Sequence, residues 1–285
     1  MARRGLARSR AQAATLVENG RVLVAGAVAA KPSRWVLPGE SLEILPAPGK
    51  TFVSRGGLKL EAALERFALD VNGRLCLDAG ASTGGFTDCL LKAGAAHVVA
   101  VDVGYGQLDM RLARDPKVTV LERTNVRHLD LAMAGGTPFG VVVADLSFIS
   151  LRAVGAVLVR ELAAPGANMV LLVKPQFEVG RVEASRGRGV VSDPSLHRRV
   201  LDETLRSYSD VGAEVMGLMP SPVRGAKGNV EYLAWLRVPG SPGSQADSPD
   251  IPGSQAPTPG RSGGIPVLPL GALVEEALEE AGRLR

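Results

Sequence analysis

The stretch Leu75–Thr87, L-C-L-D-A-G-A-S-T-G-G-F-T, constrains the fold of this chain more than any other. A short apolar run ends in Asp78, a loop of small residues with Gly80, Gly84 and Gly85 follows, and Phe86 to Ala93 reads as a helix. Strand, glycine loop and helix in that order make a cradle for a nucleotide-like ligand. Glycine lets backbone N–H groups approach closely, and a helix N-terminus favours electron-rich groups. The chain beyond it alternates in the same way. Strands are expected at 74–78, 97–103, 118–122, 140–145 and 168–174, and helices at 59–67, 85–93, 106–114, 151–163 and 194–211. Runs such as V-V-A-V-D-V and M-V-L-L-V-K, apolar up to one charged residue at or near the end, have the pattern of strands covered on both faces. An α/β fold follows, with a mostly parallel, doubly wound, Rossmann-like sheet. Two strands at 213–219 and 229–238, joined by a turn-rich loop, predict an antiparallel edge.

A chain of 285 residues, 46% apolar, has room for such a domain and a small accessory one. It has no run of eighteen apolar residues, so no transmembrane span and no membrane partner are expected. The basic start M-A-R-R-G-L-A-R-S-R is not followed by an apolar h-region, which argues against a secretory signal. Cys76 and Cys89 sit in apolar settings and read as buried thiols of a reducing cytoplasm. His97, His128 and His197 are scattered, so no metal site is expected. The net charge of +4 is unevenly placed: residues 1–59 hold ten Lys/Arg against three Asp/Glu, and the other 226 hold 23 against 26. The basic lobe suits a polyanion, or is an ordinary solvated surface.

That lobe has its own pattern. Ser9 to Gly20 reads as a helix with Ser9 as N-cap and Gly20 as its stop. Strands are expected at Arg21–Val24 and Ser41–Leu45, with a turn at Ala25-Gly26. The run G-L-A-R-S-R-A-Q-A-A-T-L-V-E-N-G-R-V-L-V-A-G resembles the S4 RNA-binding domain, and places residues 1–48 in a small α+β module. The resemblance implies that Arg4, Arg8, Arg10 and Arg21 meet RNA backbone, which gives affinity and register rather than base readout. S4 domains carry further helix upstream of the point where Met1 falls, so either the start lies upstream or the module is short. Residues 49–54 read as a linker and 55–238 as the larger α/β domain, with Arg55 and the two following glycines as a turn and Arg55 as a further expected RNA contact. Residues 239–267, rich in Pro, Gly and Ser, read as a flexible tether. The tail 268–285 reads as an amphipathic helix that docks back on the sheet.

The spacing D-A-G-A-S-T-G-G-F does not fit the dinucleotide pattern G-x-G-x-x-G. It fits motif I of S-adenosylmethionine-dependent methyltransferases. Asp102, twenty-four residues after Asp78, ends the second strand where a carboxylate accepts hydrogen bonds from ribose hydroxyls. Ser82, Thr83 and Phe86 line the loop. Asn125 follows the third strand, where it either meets the adenine or caps a loop. Asp145 and Lys174 close the fourth and fifth strands, Glu231 opens the last, and Lys59 lies on the preceding helix. A lysine ending an apolar strand needs a partner, and Asp145 is the natural one. The set Lys59, Asp145, Lys174 and Glu231 resembles the tetrad of FtsJ-type RNA ribose 2′-O-methyltransferases.

Over residues 1–238 the chain resembles the TlyA (hemolysin A) family, which joins an S4 module to such a domain. The motifs S-R-G-G-x-K-L, D-A-G-A-S-T-G-G-F-T, D-V-G-Y-G-Q-L, D-L-S-F-I-S, V-K-P-Q-F-E-V-G and G-N-V-E-Y carry the resemblance. It implies methyl transfer from S-adenosylmethionine to a cytidine 2′-hydroxyl of 16S or 23S ribosomal RNA; separately, a monomer is expected. Lys174 is the expected base, with Asp145 and Glu231 holding it, or else it stays protonated and stabilises the developing oxyanion. Phe148 either stacks on the target base or packs beneath the sheet, and packing is the expectation. Arg181, Arg186 and Arg188 either grip RNA phosphates or form a solvated loop. The rival readings are a non-catalytic RNA-binding protein with a degenerate methyltransferase fold, and a membrane-active hemolysin, for which no spanning segment speaks.

Overall fold

A computed structural model describes residues 1, 4–7, 9–18, 21–29, 31–37, 39–44, 52–180, 183, 189–240 and 268–283. Contacts divide the chain into two units, Met1–Thr51 and Phe52–Arg285. In the first, α1 (Arg10–Glu18) begins where the Ser9 hydroxyl accepts the Gln12 N–H at 3.1 Å. Strands β1 (Val22–Val24), β2 (Ala27–Val28) and β3 (Leu42–Ile44) form an antiparallel sheet in the order β2-β1-β3. Ala25 and Gly26, both at positive φ, make the two-residue hairpin turn. The two-residue β2 is too short for a sequence pattern to reveal. Val17, Val22, Val24 and Ala29 form the core of this unit. Gly20 and residues 45–51 fall outside the described residues.

The second unit is built on a seven-stranded sheet: β4 (Leu75–Ala79), β5 (His97–Val101), β6 (Val118–Leu121), β7 (Phe139–Ala144), β8 (Ala163–Val173), β9 (Glu214–Pro220) and β10 (Tyr232–Arg237). Their order is β6-β5-β4-β7-β8-β10-β9. The first five strands pair in parallel, and β10 runs antiparallel between β8 and the edge strand β9. Parallel strands need crossovers, and the helices that supply them bury both faces. One face packs on Leu60, Leu64, Phe86 and Leu90, the other on Leu158, Val200, Leu205 and Tyr208.

The helices of this unit are α2 (Gly56–Arg66), α3 (Gly85–Lys92), the single turn α4 (Met110–Ala113), the short α5 (Pro175–Glu178), α6 (Pro194–Asp210) and α7 (Leu270–Arg283). Several boundaries differ from expectation. The glycines after Arg55 lie inside α2 rather than in a turn before it. The helix expected from 106 starts at Met110, because Asp102 and Glu122 accept the N–H groups of Gly104 and Gly106 and hold that stretch as a loop. Asp109 then caps α4 by accepting from Arg111 N–H. The expected helix 151–163 is a 3-10 turn at Leu151–Ala153 and a π-helical stretch at Val157–Leu162 that runs straight into β8. Helix α7 buries Leu273, Val274, Ala277 and Ala281 against α6 and β9. No helix among the described residues is long and apolar enough to cross a membrane.

Candidate active site

Strand β4 ends in the middle of the sheet, between β5 and β7, so the chain must leave it within a crowded edge. Gly80 makes that possible. Its φ is +90°, and a Cβ there would sit 2.6 Å from the carbonyl oxygen of Asp145. Gly80 and Ala81 N–H both donate to Val101 O, and Asp145 N–H donates to Ala79 O at 3.0 Å. The loop therefore rests on the ends of both neighbouring strands. Asp102 fixes its outer side, accepting Ser82 N–H at 2.9 Å and Gly104 N–H at 2.7 Å. Asp78 lies below the loop, fully buried. One carboxylate oxygen accepts the Thr87 hydroxyl at 2.6 Å, and the other, Oδ1, has no protein partner. Burial pushes its pKa up from 3.8 to about 7, against the lowering effect of Thr87, with Asp145 and Asp102 adding repulsion.

Glycines also bring the first lysine to the loop. A Cβ on Gly85 would lie 2.9 Å from Gly57 N and 3.1 Å from Gly56 Cα. The N-termini of α2 and α3 thus meet backbone to backbone, and the first turn of α2 is held beside the cradle. Lys59, one turn into α2, lines the same cleft, of about 370 Å³, as Gly80, Ser82, Asp145, Lys174 and Glu231. The cleft contains two ion pairs. Lys59 Nζ donates to Glu231 Oε2 at 2.5 Å, and Lys174 Nζ lies 2.5 Å from Asp145 Oδ1. Lys174 Nζ also donates to Ser147 Oγ at 2.9 Å. Glu231 Oε1 accepts Gln176 Nε2 at 3.1 Å. Both lysines and Glu231 are buried, where ions are costly unless paired.

The structure thus brings Lys59, Asp145, Lys174 and Glu231 together with Gly80, Ser82, Thr83, Gly85 and Phe86 in one cleft. The pairing differs from expectation in one respect: Glu231 holds Lys59 rather than Lys174. Gly84 backs the cradle, at φ +93° against Leu108 and Leu112. Asp102 lines a small adjoining recess with Gly104, Gln107 and Glu122. Asn125 lines neither hollow. It is exposed and accepts Arg127 N–H at 3.0 Å, the capping alternative. Phe148 does not pack beneath the sheet: it is 91% exposed, at φ +66°, with its ring 5.1 Å from that of Phe177 at the rim of the cleft. Arg55 is exposed on the cleft lining. In the first unit Arg4 donates to Glu40 O and Leu37 O, Arg10 is exposed and Arg21 half-buried. Arg8, Arg181, Arg186 and Arg188 lie outside the described residues.

Sequence reasoning missed Ser147, Gln176, Arg224 and Glu178. The first three line the cleft. Buried Glu178 accepts Leu151 N–H at 2.7 Å and the Ser150 hydroxyl, tying the loop after Asp145 to the turn after Lys174. Ser147, Gln176 and Glu178 stand in the D-L-S-F-I-S and V-K-P-Q-F-E-V-G motifs, where adjacency to Asp145 and Lys174 was the available signal.

Residues 52–238 match the FtsJ-like methyltransferase family and residues 1–42 the S4 domain. The chain is 52% identical to the 16S/23S rRNA (cytidine-2′-O)-methyltransferase TlyA of Mycobacterium tuberculosis, over 83% of this chain and 87% of that protein. It is 37% identical to Hemolysin A of Brachyspira hyodysenteriae, over 81% and 94% of the two chains. A solved structure from Streptococcus thermophilus, assigned as a hemolysin, is 36% identical and superposes with a TM-score of 0.70, covering 96% of this chain and 92% of that one. With both of its domains and most of its length matched, the chain belongs to the TlyA family, FtsJ-like methyltransferases that carry an S4 domain.

Proposed function

We propose that this protein transfers a methyl group from S-adenosylmethionine to the 2′-hydroxyl of a cytidine in 16S or 23S ribosomal RNA. The observation that carries the reading is the meeting of two lysine–carboxylate pairs with a glycine cradle in one cleft. The cradle fits the cofactor. Its glycines leave backbone space a side chain would fill, and Asp78 Oδ1 is a buried acceptor with no protein partner, suited to a cationic amino group. Asp78, Gly80, Ser82, Thr83, Gly84, Gly85, Phe86 and Asp102 would hold it. When bound, the cofactor supplies an electrophilic methyl on a sulfonium that leaves as a neutral thioether.

A ribose hydroxyl is a poor nucleophile near neutral pH and must lose its proton as it attacks. Lys174, once it has released the proton of its resting ion pair to solvent, takes the hydroxyl proton; Ser147 orients its Nζ, and Asp145 at 2.5 Å stabilises the ammonium that is restored. Lys59, fixed by Glu231, and Gln176 form the wall that orients the ribose. Phe148, exposed at the rim, offers a ring to the target base. The N-terminal module, residues 1–48, binds the RNA, and the protein works in the cytoplasm as a monomer on ribosomal subunits; residues 241–267 fall outside the described residues. Lys174→Ala is expected to lower single-turnover methylation of ribosomal subunits by about 10²-fold or more. Wild-type rates would remove Lys174 from the chemistry, and ribose methylation unchanged in ribosomal RNA from cells lacking the gene would remove the substrate.

A further inference from the structure

In the N-terminal unit, residues 34–37 lie outside any helix or strand, and Val36 is partly buried between the exposed Trp35 and Leu37. Val36 packs against the core of Val17, Val22, Val24 and Ala29, and neither Trp35 nor Leu37 joins it. Trp35 is 93% exposed and Leu37 67%. A tryptophan normally buries 150–250 Å² and is a strong contributor to a core. Here the fold makes no use of it.

The segment is not loose. Arg4 donates to Leu37 O at 3.0 Å and to Glu40 O at 2.7 Å. Leu37 N–H donates to Glu40 Oε2 at 2.9 Å, and Arg34 N–H to Lys31 O at 3.1 Å. A pinned backbone therefore holds an indole in solvent. Its surroundings are cationic: Lys31 and Arg34 precede it, Arg34 being partly balanced by Glu40 at 3.5 Å, and residues 1–51 hold eight Lys/Arg against three Asp/Glu.

We infer that Trp35 is a stacking platform for one unpaired base of the ribosomal RNA, with Lys31 and Arg34 meeting the neighbouring phosphates. The inference rests on the ribosomal-RNA reading above and adds a contact to a base, where the S4 resemblance implies contacts to backbone alone. A single ring matches the area of a base, and stacking tolerates any base because each has a π-face. A protein partner would need roughly 1,000 Å² or more of complementary surface, and Val36, turned inward, leaves only two apolar side chains on this segment.

The test uses the full-length protein, purified 16S and 23S ribosomal RNA, and intact subunits. Trp35→Ala is expected to weaken RNA binding about tenfold, with an unchanged dependence on salt, because stacking releases no counterions. Trp35→Phe should bind nearly as wild type, and the fluorescence lost between wild type and Trp35→Phe should be quenched by RNA. Since Trp35 lies outside the core, both variants should keep the wild-type melting temperature. If wild type binds RNA and Trp35→Ala binds it equally well, the inference fails and the ribosomal-RNA reading stands. If Trp35→Ala binds naked RNA normally but subunits poorly, the ring meets a ribosomal protein and the inference again fails. If wild type binds neither RNA nor subunits, both readings fail.

Discussion

Gly225 tests whether the placement of Glu231, and not merely its presence, supports methyl transfer. A Cβ built on Gly225 would lie 2.0 Å from Glu231 Oε1 and 2.4 Å from its Cδ. An ordinary contact needs more than 3 Å, so Gly225→Ala must displace the carboxylate or the turn by about 1 Å, a shift that elsewhere costs about 10²-fold in rate. The turn has little room to yield, because Gly225 N–H donates to Asn229 O at 2.9 Å and Gly228 N–H to Gly225 O at 3.2 Å. Moving Glu231 loosens both the Lys59 pair and the Gln176 bond. Such overpacking costs about 1–3 kcal/mol of stability, less than a typical domain can lose. The assay is single-turnover methylation of ribosomal subunits beside a thermal melt. A folded Gly225→Ala protein with a rate within twofold of wild type would refute the argument that Lys59 and Glu231 must be held in register.

Asp78 sets a pH dependence of stability. Its folded pKa, about 7, lies above the unfolded value near 3.8, so the folded state holds the proton more tightly and stability falls as pH rises through that window. Asp78→Asn should flatten the melting temperature between pH 4 and 7; equal slopes for the two proteins would exclude Asp78 as the cause. Burial raises the Cys76 thiol to about 12 and Cys89 is also buried, so neither should react with a thiol reagent at pH 8 before unfolding. Tyr232→Phe removes the partner 2.7 Å from His197 Nδ1 and should cost about 1–3 kcal/mol in denaturant melts. Val274→Asp puts an unpaired carboxylate under α7 and should cost about 3 kcal/mol or more in denaturant melts; a wild-type midpoint would exclude the docking of α7.

The parallel sheet was legible because strands covered on both faces need apolar runs, and L-C-L, V-V-A-V and M-V-L-L-V supply them. Two of the four tetrad positions were legible for a related reason, and the set as a whole came from the family resemblance. A charge at the end of such a run is costly to bury without a partner, so Asp145 and Lys174, closing neighbouring strands, were expected together at the same sheet edge. Which ions pair is another matter. Lys59 comes to the cleft only because Gly56, Gly57 and Gly85 let two helix ends touch, a three-body contact that leaves no periodic trace. Once Lys59 is there, Glu231 is held by it, leaving Asp145 and Ser147 to Lys174. Phe148 escaped for the opposite reason: its apolar character argued for burial, while a positive φ in the D-L-S-F loop turns it outward. The residues that were misread are those whose position depends on backbone conformation rather than on hydrophobic pattern. A site built at loop ends is therefore easier to find in the sequence than to assemble from it.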